Sequence, residues 1–425
     1  MKEAVRVGFA QLDISPRLGE EMAGYGFYLN RRGLRHLDPL KARAISIFAS
    51  DHPLIIVQMD LIGLSKSFVK RVRERAGREW GIPNSCLLLH CTHTHSGPVS
   101  FPYLGCGRLS EDYLKELEET ILVLIENVLD GMRHVESCVR FQEPCRPIAY
   151  ARTGLGVPDP YVRGFFFIGE GTRTGIVTHA CHPVVLGKND AFSADYPGCF
   201  LEELNAYGLK ALFLNEPSGD LDPLSHACSW GCGTEQTLRI YGRDLAAAVF
   251  RGLEMAEVAS IQGVRAESVD CVLDGWVPDR DQLNRELDEA SLQLKEKPFS
   301  GKAQLNADWI QGLLSRAERG ELGEEMKLET QVLCLGDLSI VGMSGEVFSS
   351  LGRRIRQAFP KRFLLLAGTC NGLLGYVPDQ RDVEVEGYAS ALAPRIYGML
   401  LPRPGAGERF ADQVIEVIRH CEIST

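Results

Sequence analysis

The chain alternates short apolar runs with amphipathic stretches. "ARAISIFAS" (residues 42–50) and "PLIIVQMDLIGL" (53–64) are followed by "KSFVKRVRERAGREWG", in which apolar residues recur every three to four positions. Apolar runs of strand length joined by segments of helical period leave few architectures open: mixed sheets flanked by helices, an α/β fold. "VRGFFFIG" (162–169), "TGIVTHACH" (174–182), "LKALFLN" (209–215) and "LSIVGMS" (338–344) predict further strands. Ser110, followed by Glu111 and Asp112, predicts the N-cap of a long helix reaching about His134. Between about 278 and 328 the charge density rises, and "RDQLNRELDEASLQLKEK" and "DWIQGLLSRAERGELGEE" read as two helices, an insertion placed to wall or cover a site. With no internal repeat, low-complexity tract or Pro/Ser-rich linker, the reading is a single domain over residues 1–425.

Four apolar runs end in unusual polar residues. "LLLHCTHTHSGP" delivers His90, His93 and His95; "GIVTHACHP" delivers His179 and His182; "LFLNEPSGDLDP" delivers Glu216, Asp220 and Asp222; "LSIVGMSGEVFSS" delivers Glu346. Ligands gather where strands of an α/β sheet deliver their last residues into loops. Two of these clusters hold five of the ten histidines. A lone histidine is normally a core or surface residue, but clusters of neutral imidazoles with a carboxylate suit a catalytic zinc ion with one open position. Such an ion activates water and polarises a carbonyl oxygen, so hydrolysis is the expected chemistry. His93 and His95, two apart, face the same way in extended backbone. His179, three before His182, faces away from it and reads as structural. Asp220 and Asp222 share one side of an extended segment, where a turn role next to Gly and Pro competes with that of a proton acceptor. Asp60 reads equally as a support for the site or as a strand-end cap.

The net charge of −10 and the pI near 5.6 exclude a basic phosphate-binding face, so no nucleic-acid partner is expected. The basic run Arg71–Arg78 reads as a solvated helix face. No window has the roughly 18 apolar residues of a membrane span, and "MKEAVRVGFAQLDISP" has no apolar core of leader length, so a cytoplasmic protein without stable membrane insertion is expected. Thirteen scattered cysteines fit reduced thiols. Cys228 and Cys232 beside His226 lack a second pair at zinc-clip spacing and read as buried and inert.

Together, "VGFAQLDISP", "MAGYG", "LKARAISI", "MDLIGLS", "THTHSGP", "GDLDP", "GEVFSSLGRR" and the Tyr376–Tyr388 region resemble the catalytic domain of the neutral (non-lysosomal) ceramidase family across nearly the whole chain. The resemblance implies one catalytic Zn2+ held by His93, His182, Glu346 and Tyr376. It implies that His95 and Tyr388 hold the substrate carbonyl, assisted by an arginine. In the stretch corresponding to the family's Arg-Ser-Pro-x-Ala-Tyr this chain reads "CRPIAY", with Cys145 in the arginine column and Arg146 one position off. Asp222 replaces the serine of the family's Gly-Asp-Val-Ser-Pro motif and becomes the candidate base. An ionised carboxylate cannot donate as a hydroxyl does, so long-chain ceramide is not the expected substrate. Neither a leader nor the family's C-terminal β-sandwich is expected, which also points away from membrane sphingolipid.

The expectation is therefore a zinc-dependent hydrolase of an N-acyl compound or other small amide. Ester or lactone hydrolysis, lyase or transferase chemistry, and a non-enzymatic metal-binding protein stay open, as does the oligomeric state.

Overall fold

The computed structural model describes residues 5–49, 51–154, 156–261 and 264–423; the first four residues and Ser50, read above in a leader test and a strand, lie outside that set. Three five-stranded sheets carry the fold. Each contains the same unit: an antiparallel pair whose second strand leads, through a helical crossover, to an edge strand parallel to it. In the first sheet the unit is Lys41–Phe48, Leu54–Met59 and Leu87–Cys91. In the second it is Tyr161–Gly169, Thr172–His179 and Lys210–Asn215, and in the third Glu325–Leu335, Leu338–Met343 and Phe363–Ala367. The crossovers contain the helices Lys66–Trp80, Asp195–Ala206 and Ser349–Gln357, since parallel neighbours cannot be joined by a tight turn. The repeat escapes a sequence reading because it is one of backbone topology, without shared loops or side chains.

The three edge strands meet around His90. Its Nε2 accepts from the Asn215 N–H at 3.1 Å, and its Nδ1 lies 3.0 Å from the Gly368 carbonyl oxygen. Burial lowers the His90 pKa to about 3, so the ring is neutral, donating from Nδ1 and accepting at Nε2. Around it, Gly368 N–H donates to Asn215 O at 2.9 Å and Asn371 N–H to Leu89 O at 2.8 Å. The first histidine of the triple cluster is thus a structural joint.

Ser110 caps its helix by accepting from the Tyr113 N–H, but the helix is Glu111–Asp130. It stops at Gly131, and Arg133–His134 pairs instead with the strand Arg6–Asp13. The two charged segments form the helices Arg280–Glu296 and Gly301–Glu318, joined between Val264–Trp276 and Glu325–Leu335. Those strands pair from Val264↔Leu335 to Asp274↔Glu325, so the helices interrupt a β-hairpin. Buried Trp309 ties the second helix to the site-bearing C-terminal segment by donating to Met399 O at 2.8 Å.

Three expectations need correction. Arg73, in the run read as solvated, is buried; it shares the packed helix face with Phe68, Val69, Val72 and Ala76 and reaches Glu329 at 2.8 Å and Gln331 at 2.9 Å. Cys228 and Cys232 are exposed, because the loop carrying them lies outside the packed layers, and among the described residues they join no group of metal-ligand type. Asp220 and Asp222 take different partners, as described below. No helix among the described residues is long and apolar enough to cross a membrane.

Asp60, at the end of Leu54–Met59, accepts from Arg43 at 2.9 Å, Gln58 at 2.8 Å and the Lys41 N–H at 3.0 Å, and both it and Arg43 are buried. Asp60→Ala leaves that guanidinium buried without its counter-charge, a loss of about 3–5 kcal/mol. Urea denaturation should show it as a lower midpoint at unchanged slope; a loss under ~1 kcal/mol would mean Asp60 is only a cap.

Candidate metal centre

His93 follows the edge strand Leu87–Cys91 with φ of 73°, left-handed backbone that costs a non-glycine residue about 1–3 kcal/mol. Hydrogen bonds hold it there: its N–H donates to Leu61 O at 2.9 Å and its Nδ1 to Ile62 O at 2.6 Å. His182, past the end of Thr172–His179, is held the same way, its N–H on Leu221 O at 3.1 Å and its Nδ1 on Ser218 O at 2.9 Å. With Nδ1–H given to a carbonyl, each ring presents the Nε2 lone pair, the usual posture of a metal-binding histidine.

Both Nε2 atoms meet one carboxylate oxygen. Glu346 Oε2 lies 3.2 Å from His93 Nε2 and 3.0 Å from His182 Nε2. Glu346 stands in the two-residue strand Glu346–Val347, paired in parallel with Tyr376–Val377, so Glu346 and Tyr376 are opposite one another. The Tyr376 hydroxyl is 3.5 Å from His182 Nε2, and the Tyr397 hydroxyl donates to Glu346 Oε1. Burial would raise the Glu346 pKa, but the neighbouring His93 and His182 outweigh it and hold the carboxyl well below its usual range. Two imidazole Nε2 atoms and one carboxylate oxygen converging within 3.2 Å form a donor set that a divalent metal ion fits.

His95 completes the cluster. Its ring centre is 5.0 Å from that of His93 and 5.9 Å from that of His182, and the ligand atoms of the three histidines all lie within 4.8 Å of one another. Its Nε2 is buried without a partner, and burial, reinforced by His93 and His182, lowers its pKa well below the usual value, so the ring is neutral. The "MAGYG" turn explains itself here: Gly24 has φ of 83°, and a Cβ on it would sit 2.6 Å from the His95 ring.

A cavity of about 550 Å3 opens from His95, His182 and Tyr376, walled by Tyr25, Tyr150, Trp230 and Tyr388 and carrying Arg152, Asp222 and Asp382. A smaller space of about 50 Å3 behind it reaches Glu346. Asp222 stands in the strand Leu221–Pro223 opposite Tyr150, and Arg152 Nη1 is 3.4 Å from its Oδ1. The Arg152 guanidinium lies 5.3 Å from the Tyr376 ring centre and 5.1 Å from that of Tyr388. Burial would lower its pKa, but Tyr376 and Asp222 outweigh that and raise it, so it carries a fixed positive charge. Tyr388, 45% exposed, stands at the rim of the cavity.

His93, His95, His182, Glu346 and Tyr376 are brought together, with Asp222 and Tyr388 on the adjoining cavity. Arg146 is not: its side chain is 82% exposed and reaches Asp244 at 3.6 Å. It sits in the link before Ala149–Ala151, whereas Arg152, just past that strand and two residues beyond Tyr150, faces inward with it. Period-two alternation from Tyr150 marks both arginines alike; the strand Ala149–Ala151, which Arg152 directly follows, is what separates them. Tyr397 and Asp382 gave no signal in the sequence. Asp220 instead accepts from the Ser349 N–H at 2.6 Å and hydroxyl at 2.8 Å, anchoring the start of Ser349–Gln357. Glu216 is committed to Arg356 at 2.9 Å and Arg163 at 3.4 Å. His179 lies 3.0 Å from Tyr161 O by its Nδ1, away from the cluster.

No family model and no curated protein matches the chain. Among solved structures, neutral ceramidase from Pseudomonas aeruginosa matches 97% of this chain and 73% of its own with a TM-score of 0.75 at 16% identity. A ceramidase complexed with C2 matches 98% and 75%, with a TM-score of 0.77 at 16% identity. The fold is that of these ceramidase structures.

Titrated with zinc against a competing chelator at neutral pH, the protein should take up one ion per chain. His93→Ala or His182→Ala should weaken that uptake at least about 100-fold, and Arg146→Ala should leave it unchanged. Equal uptake by all four proteins would refute the centre.

Proposed function

We propose that the chain is a zinc-dependent hydrolase of small amides. The observation that carries this is the convergence of His93, His182 and Glu346 at the inner end of an aromatic cavity, within the fold of ceramidases. His93, His182, Glu346 and Tyr376 are the residues that would hold the ion. Bound there, zinc supplies a Lewis acid for the carbonyl and lowers the pKa of water towards about 7.

The remaining steps belong to side chains lining the cavity. Asp222 accepts the proton of the attacking water as the C–O bond forms and returns it to the amide nitrogen as the C–N bond breaks and the amine leaves. Arg152, fixed by Asp222 and the two tyrosine faces, aims positive charge at the oxygen that becomes negative, together with Tyr388 and the unpartnered Nε2 of His95. Arg152 thus takes the part first read for Arg146. Trp230 and Tyr25, 5.6 Å apart, shield the cavity mouth from water. A cavity of about 550 Å3 suits a ligand of ordinary small-molecule size, which supports a short N-acyl compound over a two-chain lipid.

Purified protein should release amine from short N-acyl arylamides, lose that activity on chelation and regain it with zinc. His93→Ala should abolish turnover, and Arg152→Gln should lower kcat/KM about 100-fold, the usual effect of one lost oxyanion donor. Full activity in metal-free protein, or turnover of esters and lactones with no amide, would contradict the proposal.

A further inference from the structure

Asp382 has no part in the hydrolytic scheme, yet it lines the same cavity. It lies in the short helix Gln380–Glu384 and is only 3% exposed. Burial raises its pKa, while the hydroxyl and backbone N–H of Ser390, and Arg152 across the cavity, pull it down. Its Oδ2 is buried and has no hydrogen-bond partner. A buried carboxylate oxygen left unmatched is unfavourable, and on a residue lining the cavity it calls for a donor that arrives with the ligand.

Charge decides what kind of donor. Arg152 pairs with Asp222 and reaches Asp382 only through space, so among the described residues Asp382 has no ion pair of its own. The walls nearby are aromatic: Tyr150, Trp230 and Tyr388 line the same space. Aromatic faces attract cations through the ring quadrupole. The backbone also holds the acid in place: a Cβ on Gly387 would fall 2.0 Å from Asp382 Oδ1 and 2.8 Å from Oδ2, so the chain packs directly against the carboxylate.

We propose that this cavity contains an ammonium subsite, in which Asp382 Oδ2 accepts from a protonated amino group of the substrate and the surrounding tyrosines and Trp230 pack against the apolar part that bears it. The substrate class is then an amide that also carries a basic amino group on a short apolar or aromatic frame. The proposal deepens the amide-hydrolase reading and rests on it for the word substrate, but the subsite itself is a matter of binding. No covalent step is involved.

Calorimetry on the zinc-loaded protein with phenethylamine, phenethyl alcohol and 3-phenylpropionate as probes separates the two claims, because no turnover is needed. Phenethylamine should bind at least about tenfold more tightly than the alcohol, with the carboxylate weakest, and Asp382→Asn should erase the preference for the amine over the alcohol. Should Asp382→Asn not fold, the ranking of the three probes on the unaltered protein decides alone. Equal binding of amine and alcohol, preference for the carboxylate, or an amine preference that survives Asp382→Asn overturns the subsite. Failure to hydrolyse any amide, with the amine preference intact, would instead overturn the hydrolase reading and leave the subsite standing.

Discussion

An edge strand exposes a row of unpaired N–H and C=O groups and must be covered. Each of the three five-stranded sheets has one parallel strand at an edge, and the chain covers these three with each other. Gly368 and Asn371, from the loop after the third, reach Asn215 and Leu89 on the other two, and the neutral ring of His90 joins all three through its two nitrogens. Everything functional depends on that junction. Because each edge strand runs parallel to its neighbour, the loops that leave both strands of each pair emerge on one side, and the junction brings the loops of all three sheets to one place. His93 comes from the first sheet, His182 and Asp222 from the second, Glu346 and Tyr376 from the third.

The site gathers several locally unfavourable features. His93 holds left-handed backbone, His95 has a buried nitrogen without a partner, and Glu346 is an ionised carboxylate buried against two imidazoles. Each is unfavourable alone; the Ile62 carbonyl holds His93 in position, and the Tyr397 hydroxyl holds Glu346.

Much of this was legible in the sequence, for an identifiable reason. Apolar runs report burial, so the strands from "VRGFFFIG" to "LSIVGMS" could be read, and polar residues at their ends stood out against them. Legibility stops where three-dimensional arrangement replaces local pattern. The threefold repetition of the sheet unit left no trace, since pairing of backbones asks nothing of particular side chains. Arg146 and Arg152 are six positions apart in an irregular link, and only the direction of Ala149–Ala151 says which turns inward. Asp220 and Asp222 look alike in "GDLDP", yet one anchors a helix and the other faces the cavity, because Ser349 reaches only the first. Tyr397 and Asp382 lie in segments without periodicity, and nothing short of the fold brings them to the site.

The central claim is that one ion sits where the loops of the three sheets meet. Diffraction from crystals grown with zinc, recorded on both sides of the zinc absorption edge, tests it directly. The account expects a single anomalous peak bounded by His93 Nε2, His182 Nε2, Glu346 and Tyr376, with nitrogen ligands at about 2.0–2.1 Å. A peak elsewhere on the chain, or none at this junction in protein that has taken up zinc, would contradict it.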